Sequence, residues 1–203
     1  IIGKGGHGAR PHEGVDSIWI AAKVISELQE AISRRLDVLK PVVISFGKIS
    51  GGNAFNVIAE RVKLLGTVRC LDSKVYEKLP HWIETIVKNI ASNYGAQARI
   101  NFKSIAPPVY NDPVLTDLLV NCAKNHMDEE NIVYLETPSL GAEDFAFFLQ
   151  DVPGTMFRLG VAGEQGCAPL HSGSFSLDER SLELGIKILS QTIIISTESF
   201  QDI

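Results

Sequence analysis

Apolar spacing changes in a fixed order along the first half of the chain, and that order most restricts the fold. Ile18, Ala21, Ile25, Leu28, Ile32 and Leu36 recur at steps of three and four, which predicts an amphipathic helix over residues 17–36 with Asp16 as its N-cap. "PVVISFGKIS" and "FNVIAERVKLLGTVRCL" are β-branched and partly alternating, and "GGN" between them supplies a turn, so they read as a hairpin. Ile83, Ile86, Val87, Ile90 and Tyr94 make the stripe of a second helix ending at Gly95, with Pro80 marking its start or a kink. "AQARINFKSI" alternates like a strand before the three prolines of "APPVYNDP" break the pattern. With the opening stretch counted as a strand, residues 1–106 read strand, helix, strand, strand, helix, strand. That is the ferredoxin-like βαββαβ order, a four-stranded antiparallel sheet covered on one face by two helices.

A domain boundary is expected near residues 107–112, giving domains of 1–106 and 107–203. Beyond it, Asp112 as N-cap and Pro113 open a helix lined by Leu115, Leu118, Leu119 and Cys122. "NIVYLE" reads as a short strand, "GAEDFAFFL" as a short helix and "GTMFRLGV" as a buried strand. Ser176 and Glu179 form a capping box before Leu182, Ile186, Leu189 and Ile193. This mixed α/β part has too few strands for a two-faced sheet, so it reads as a portion of a larger layer.

Charge and cysteine usage narrow the partners. A net charge of −5 and a pI near 5.5 argue against a general nucleic-acid binder. Cys70, Cys122 and Cys167 are odd in number and form no CxxC pair, so they read as reduced thiols. No apolar run is long enough to span a bilayer and no signal-peptide layout opens the chain. A cytoplasmic protein that acts on small molecules or proteins, and on neither membranes nor nucleic acid, is the expectation.

Candidates for chemistry concentrate at a few positions. "IIGKGGHGARPHEGVD" sets His7 among glycines that let a substrate or another backbone approach its imidazole, although a simple turn histidine accounts for it equally well. The stretch lacks the Gly-Lys-Ser/Thr ending of a phosphate loop. His12, His81 and His126 read as surface residues. His171 lies in "GCAPLHSGSF", between a buried strand and a capped helix, where α/β layers commonly carry sites. Glu143 and Asp144 fit the first turn of a short helix better than an acid and base pair. Asn53, Asn56 and Arg69 flank the hairpin; an arginine there grips a carboxylate or makes an ordinary cross-strand ion pair. There is no HExxH and no serine nucleophile elbow.

Taken in order, "GKGGHGARPHEGVD", "ISGGNAFNVIAERVKLLGTVRCLD", "PSLGAEDFAFFLQDVPGTMFRLG" and "LHSGSFSLDE" resemble the metal-dependent N-acyl-amino-acid amidohydrolases. These aminoacylase-like enzymes include hippurate hydrolase and the indoleacetyl-amino-acid hydrolases. The resemblance covers nearly the whole chain and implies a di-metal α/β catalytic domain interrupted by a ferredoxin-like domain that mediates homodimerisation and closes over the site. It implies that His7 reaches across the dimer to the scissile carbonyl. It also implies that Asn56 and Arg69 hold the substrate's carbonyl or carboxylate, and that His171 is a metal ligand. The implied cofactor is a divalent metal, Zn or Mn, two per complete site. Ala59 and Gly173 stand where the family usually has proline.

The family's other ligands and its general base, a Cys-Gly-His segment, a Glu-Glu pair and a further histidine, precede the matching region and are not among these 203 residues. One imidazole does not hold a catalytic metal, so this chain alone is expected to be inactive. Two alternatives stand beside amide hydrolysis: a catalytically inactive dimerisation or binding fragment, and a related di-metal exopeptidase.

Overall fold

The computed structural model describes residues 1–199. Its contacts divide the chain into two compact units, residues 1–108 with 139–143, and residues 109–138 with 144–203.

In the first unit the elements follow one another as β1 (Gly6–His7), α1 (Ser17–Arg35), β2 (Val42–Gly51), β3 (Val57–Ile58), β4 (Val62–Cys70) and α2 (Ser73–Asn93). β2 and β4 form the antiparallel hairpin, from Val42 opposite Cys70 to Gly51 opposite Val62, with a bulge between Phe46 and Lys48. The "FNVI" part of the expected second strand leaves that hairpin: Val57 and Ile58 pair with His7 and Gly6 instead. Ile2 bridges Arg61 on one side and Gln97 on the other, both antiparallel. The order across the sheet is therefore Gln97, Ile2, β4, β2, which is the ferredoxin-like arrangement.

Local chemistry explains both helices. The Asp16 carboxylate accepts from the Ile18 and Trp19 amides at 2.9 and 3.1 Å, and Asp72 accepts from Val75 at 2.9 Å. Lys40 sits 2.8 Å from Asp72, and its hydrogen bond is the main reason that carboxyl titrates below its ordinary range. Pro80 lies inside α2 rather than at its start, and Gly95 ends the helix at φ +74°, where a side chain is strained. Val24, Leu28 and Ala31 of α1 meet Leu79, Ile83, Ile86 and Val87 of α2 over Val42 and Ile44 of β2. The buried face of α1 is rotated from the expected stripe. Ile20 and Val24 join Ala21 and Leu28 inside, while Ile18 is half exposed.

One expected strand is missing from this unit. In "AQARINFKSI" only Gln97 makes a bridge, and residues 98–108 form no strand. Alternation alone makes no strand, because a strand needs a neighbour to take its N–H and C=O groups.

The second unit contains α3 (Pro113–Lys124), short 3₁₀ turns at Glu129–Asn131 and Asp144–Gln150, and α4 (Arg180–Ser199). Asp112 caps α3 by accepting from Leu115 at 3.0 Å. Leu119 and Ala123 of α3 pack on Ile188 of α4. "NIVYLE" and "GTMFRLGV" form no ladder among the described residues. Gly154, Thr155 and Met156 of the latter are instead taken up by Asp112, Thr116 and Asn111 at the start of α3. Asp178, rather than the Ser176 and Glu179 box, accepts from the first amide of α4 at 3.0 Å. The expected apolar face of α4 is the exposed one: Ile186 is 66% exposed and Ile188 only 2%. Leu182, Leu189 and Ile193 share that exposure, since no described element covers them.

Two outcomes follow from this packing. Leu28→Ala should destabilise the protein by about 2–5 kcal/mol in urea unfolding, because Leu28 is fully enclosed between the helices and sheet. The Arg180 guanidinium, by hydrogen bonding, holds the Asp178 carboxyl down to about 2 from its ordinary 3.8. The folded pKa is depressed, so the stability it contributes is present above 3.8 and lost as pH falls toward about 2. Melting curves of Asp178→Asn and the parent should therefore separate above pH 4 and converge at the acid end.

Candidate functional site

His7 owes its position to glycine on both sides of it. Gly8 donates to the Asn56 carbonyl at 2.9 Å, and a Cβ on Gly8 would lie 2.8 Å from that same oxygen. Only glycine lets the two chains close at this point. The ladder sets His7 opposite Val57, so Asn56 is one step away and exposed with it. The Ala9 amide donates to His7 Nδ1 at 3.0 Å. With Nδ1 accepting, the neutral ring carries its proton on Nε2, which makes that nitrogen a donor for whatever meets the exposed imidazole. Sequence reasoning found His7 and Asn56 separately. It missed the Ala9 clamp, for which "GHGA" carries no distinct signal.

Arg69 stands near the far end of β4, opposite Val43. Its Nη1 donates to the Leu140 carbonyl at 2.8 Å, which ties residues 139–143 to the sheet. The contact seen for Arg69 is thus to a backbone carbonyl. The acceptor is a backbone oxygen too remote in sequence to be read from a pattern. Asn56 and Arg69 are separated by roughly 40 Å of extended chain at about 3.3 Å per residue. The register therefore sets Asn56 opposite Gly8, one position along from His7, and leaves Arg69 farther along the chain. Next to Arg69, burial and then the Asp72 charge push the Cys70 thiol pKa up, so Cys70 is not an activated nucleophile.

His171, in the second unit, has φ +69° and is the one described residue other than glycine in the left-handed region. Ser172 donates to the Pro169 carbonyl at 3.1 Å, so His171 is the third residue of a tight turn, where glycine is favoured. Keeping an imidazole at a strained and exposed place is the kind of outlier found at functional sites. Asp144 opens its 3₁₀ turn, as an acidic first-turn residue should. His12, His81 and His126 are exposed, as surface histidines. Cys70, Cys122 and Cys167 are all free thiols.

Among the described residues no three His, Cys, Asp or Glu side chains come together to hold a metal ion. The residues present thus do not by themselves fit a resident divalent cation. No helix is long and apolar enough to cross a membrane.

Residues 1–95 match the family described as the peptidase dimerisation domain. A Synechocystis protein named "probable hydrolase" is 48% identical over 192 residues, covering 94% of this chain and 49% of the relative. The N-acetyldiaminopimelate deacetylase of Anoxybacillus flavithermus is 37% identical over 193 residues, covering 95% of this chain and 50% of that protein. A solved Bacillus subtilis structure, a dinuclear metal-binding peptidase from the M20 family, superposes with a TM-score of 0.74 at 26% identity, over 92% of this chain and 47% of that one. Residues 1–95 are thus a peptidase dimerisation domain. It spans about half the length of the curated relatives it matches.

The His171 turn makes a direct test. His171→Gly should raise stability by about 1 kcal/mol in urea unfolding, by relieving the left-handed backbone. His171→Ala, which keeps a Cβ, should give no such gain.

Proposed function

We propose that this chain supplies the dimerisation and lid domain, residues 1–106, and a C-terminal part of the catalytic domain, residues 107–203, of a metal-dependent enzyme that hydrolyses N-acyl amino acids. The observation that carries the reading is the outward Nε2–H of His7, set by the Ala9 amide on Nδ1. As an amide carbon becomes tetrahedral its oxygen gains negative charge, and a fixed imidazole N–H aimed at that oxygen stabilises it. Asn56, beside His7, holds the substrate's carbonyl or carboxylate. Arg69, with further N–H groups besides the one on Leu140, holds a carboxylate.

The separation of the His7 corner from Arg69 along the chain favours a homodimer in which His7 and Asn56 serve the partner's site. His171 is assigned as one ligand to Zn or Mn, two ions per complete site. The described residues act on the substrate's acyl oxygen and carboxylate, not on the attacking water. The three free thiols fit a cytoplasmic setting.

A second reading, a dimerisation module inactive by itself, is favoured by the lack of any metal-holding cluster among the described residues. It applies to the 203-residue chain alone, which should dimerise yet take up no stoichiometric Zn or Mn when assayed by elemental analysis.

The test uses the full-length protein with Mn or Zn, assayed on N-acetyl and N-benzoyl amino acids beside dipeptides. His7→Ala should lower kcat by about 10²–10³-fold, as loss of an oxyanion donor does. His7→Ala mixed with His171→Ala should regain about a quarter of parental activity, since a two-fold dimer with shared sites rebuilds one good site in each mixed dimer. Absence of any amidase activity sinks the proposal. Activity on dipeptides alone replaces it with an exopeptidase, and failed complementation removes the shared site.

A further inference from the structure

Among the described residues no other large apolar side chain is as exposed as Phe55, which at 103% is as open to solvent as in an extended chain. It sits in the return between β2 and β3. The Val57 amide donates to the Ala54 carbonyl at 3.4 Å, which makes Phe55 the second residue of a four-residue turn. That position asks for a suitable φ, which proline supplies, and gains nothing from a phenyl ring. Single apolar side chains on a surface are ordinary, so exposure by itself assigns no role. Two further observations do.

The first is place. Asn56 follows Phe55 directly, and its carbonyl accepts from the Gly8 amide at 2.9 Å, next to His7. His7 pairs with Val57, so Phe55 is two residues from that pair, about 7 Å of chain at about 3.3 Å per residue. Phe55 therefore belongs to the same exposed corner as His7 and Asn56. The second is rigidity. On one side of the loop Gly51 is held opposite Val62, so close that a Cβ on it would lie 2.6 Å from the Arg61 carbonyl, and Gly52 turns the chain at φ +78°. On the other side Gly8 holds Asn56. Only residues 53–55 lie between these anchors, and a phenyl ring has two side-chain torsions to fix, so holding it against a ligand costs little entropy. Covering it with an apolar group then removes water from both surfaces.

We propose that Phe55 is a specificity residue for the acyl group: it enters the partner's site with His7 and Asn56 and packs on an aromatic or long aliphatic acyl chain. Such N-acyl amino acids are then preferred to N-acetyl ones, whose single methyl offers little apolar area. The inference rests on the proposed amide hydrolysis and names the substrate within that class. The acyl end is assigned because Arg69, the group for the carboxylate, lies away from this corner, whereas His7 is the group for the scissile oxygen.

The test uses the full-length protein with Mn or Zn, and the N-acetyl and N-benzoyl forms of one amino acid. Phe55→Ala should lower kcat/KM for the N-benzoyl substrate at least tenfold more than for the N-acetyl one, chiefly through KM, since an apolar contact with the acyl group is the same before and at the transition state. Phe55→Leu, which keeps an apolar side chain in the turn, should keep most of the preference. On a His7→Ala background, where turnover is slow, calorimetry should show Phe55→Ala weakening the binding of the N-benzoyl amino acid at least tenfold. An equal loss on both substrates overturns the proposal and leaves Phe55 a turn residue. A preference that follows the amino-acid side chain at constant acyl group overturns it in favour of the other end of the substrate, and dissociation of the Phe55→Ala dimer in sedimentation overturns it in favour of a subunit contact. Those three results leave amide hydrolysis standing; a parent protein that neither cleaves nor binds any N-acyl amino acid ends both readings.

Discussion

A strand inside a sheet must match its N–H and C=O groups on both sides, and in the first unit that demand falls on residues 1 and 2. The Ile1 pair with Val62 and the Ile2 pair with Gln97 are the backbone pairings that join the β2–β4 hairpin to the segment after α2. The layer order follows from them, and so does the floor on which α1 and α2 pack. Residues 98–108 keep an alternating pattern and form no strand, and β4 faces a cavity.

The same short N-terminal stretch sets up the chemistry. Three residues after Lys4 the chain pairs with Val57, and the close approach of Gly8 to Asn56 holds His7 at an exposed corner with its Nδ1 engaged. β4 carries Arg69 away from this corner. Under the proposed function, a two-fold axis, the natural symmetry of a dimerisation domain, is the economical way to reunite them.

Features decided within a few residues were legible in the sequence. Asp16 and Asp112 each cap a helix through an amide two or three residues ahead. The glycine-wrapped His7 and the odd placement of His171 were visible as well, though nothing local showed the left-handed backbone of His171. Long-range partners defeated the reading. Three or four candidate apolar positions fit one face of α1, and only contact with α2 and β2 chose Val24 over Ile18. "GTMFRLGV" looks like a buried strand, yet the start of α3 took its polar groups. The stripe of α4 has the right period, and burial still selected Ile188 over Ile186.

What the sequence by itself determined was the order of helices and hairpin, their caps and the identity of the residues able to do chemistry, since these depend on backbone sterics and hydrogen bonds a few residues apart. Tertiary structure alone decided which apolar face was buried, which alternating segments became strands and that Arg69 reaches the Leu140 carbonyl. Each of those outcomes requires a partner distant in the chain, and a sequence pattern records a residue's capacity to pair without recording what it pairs with.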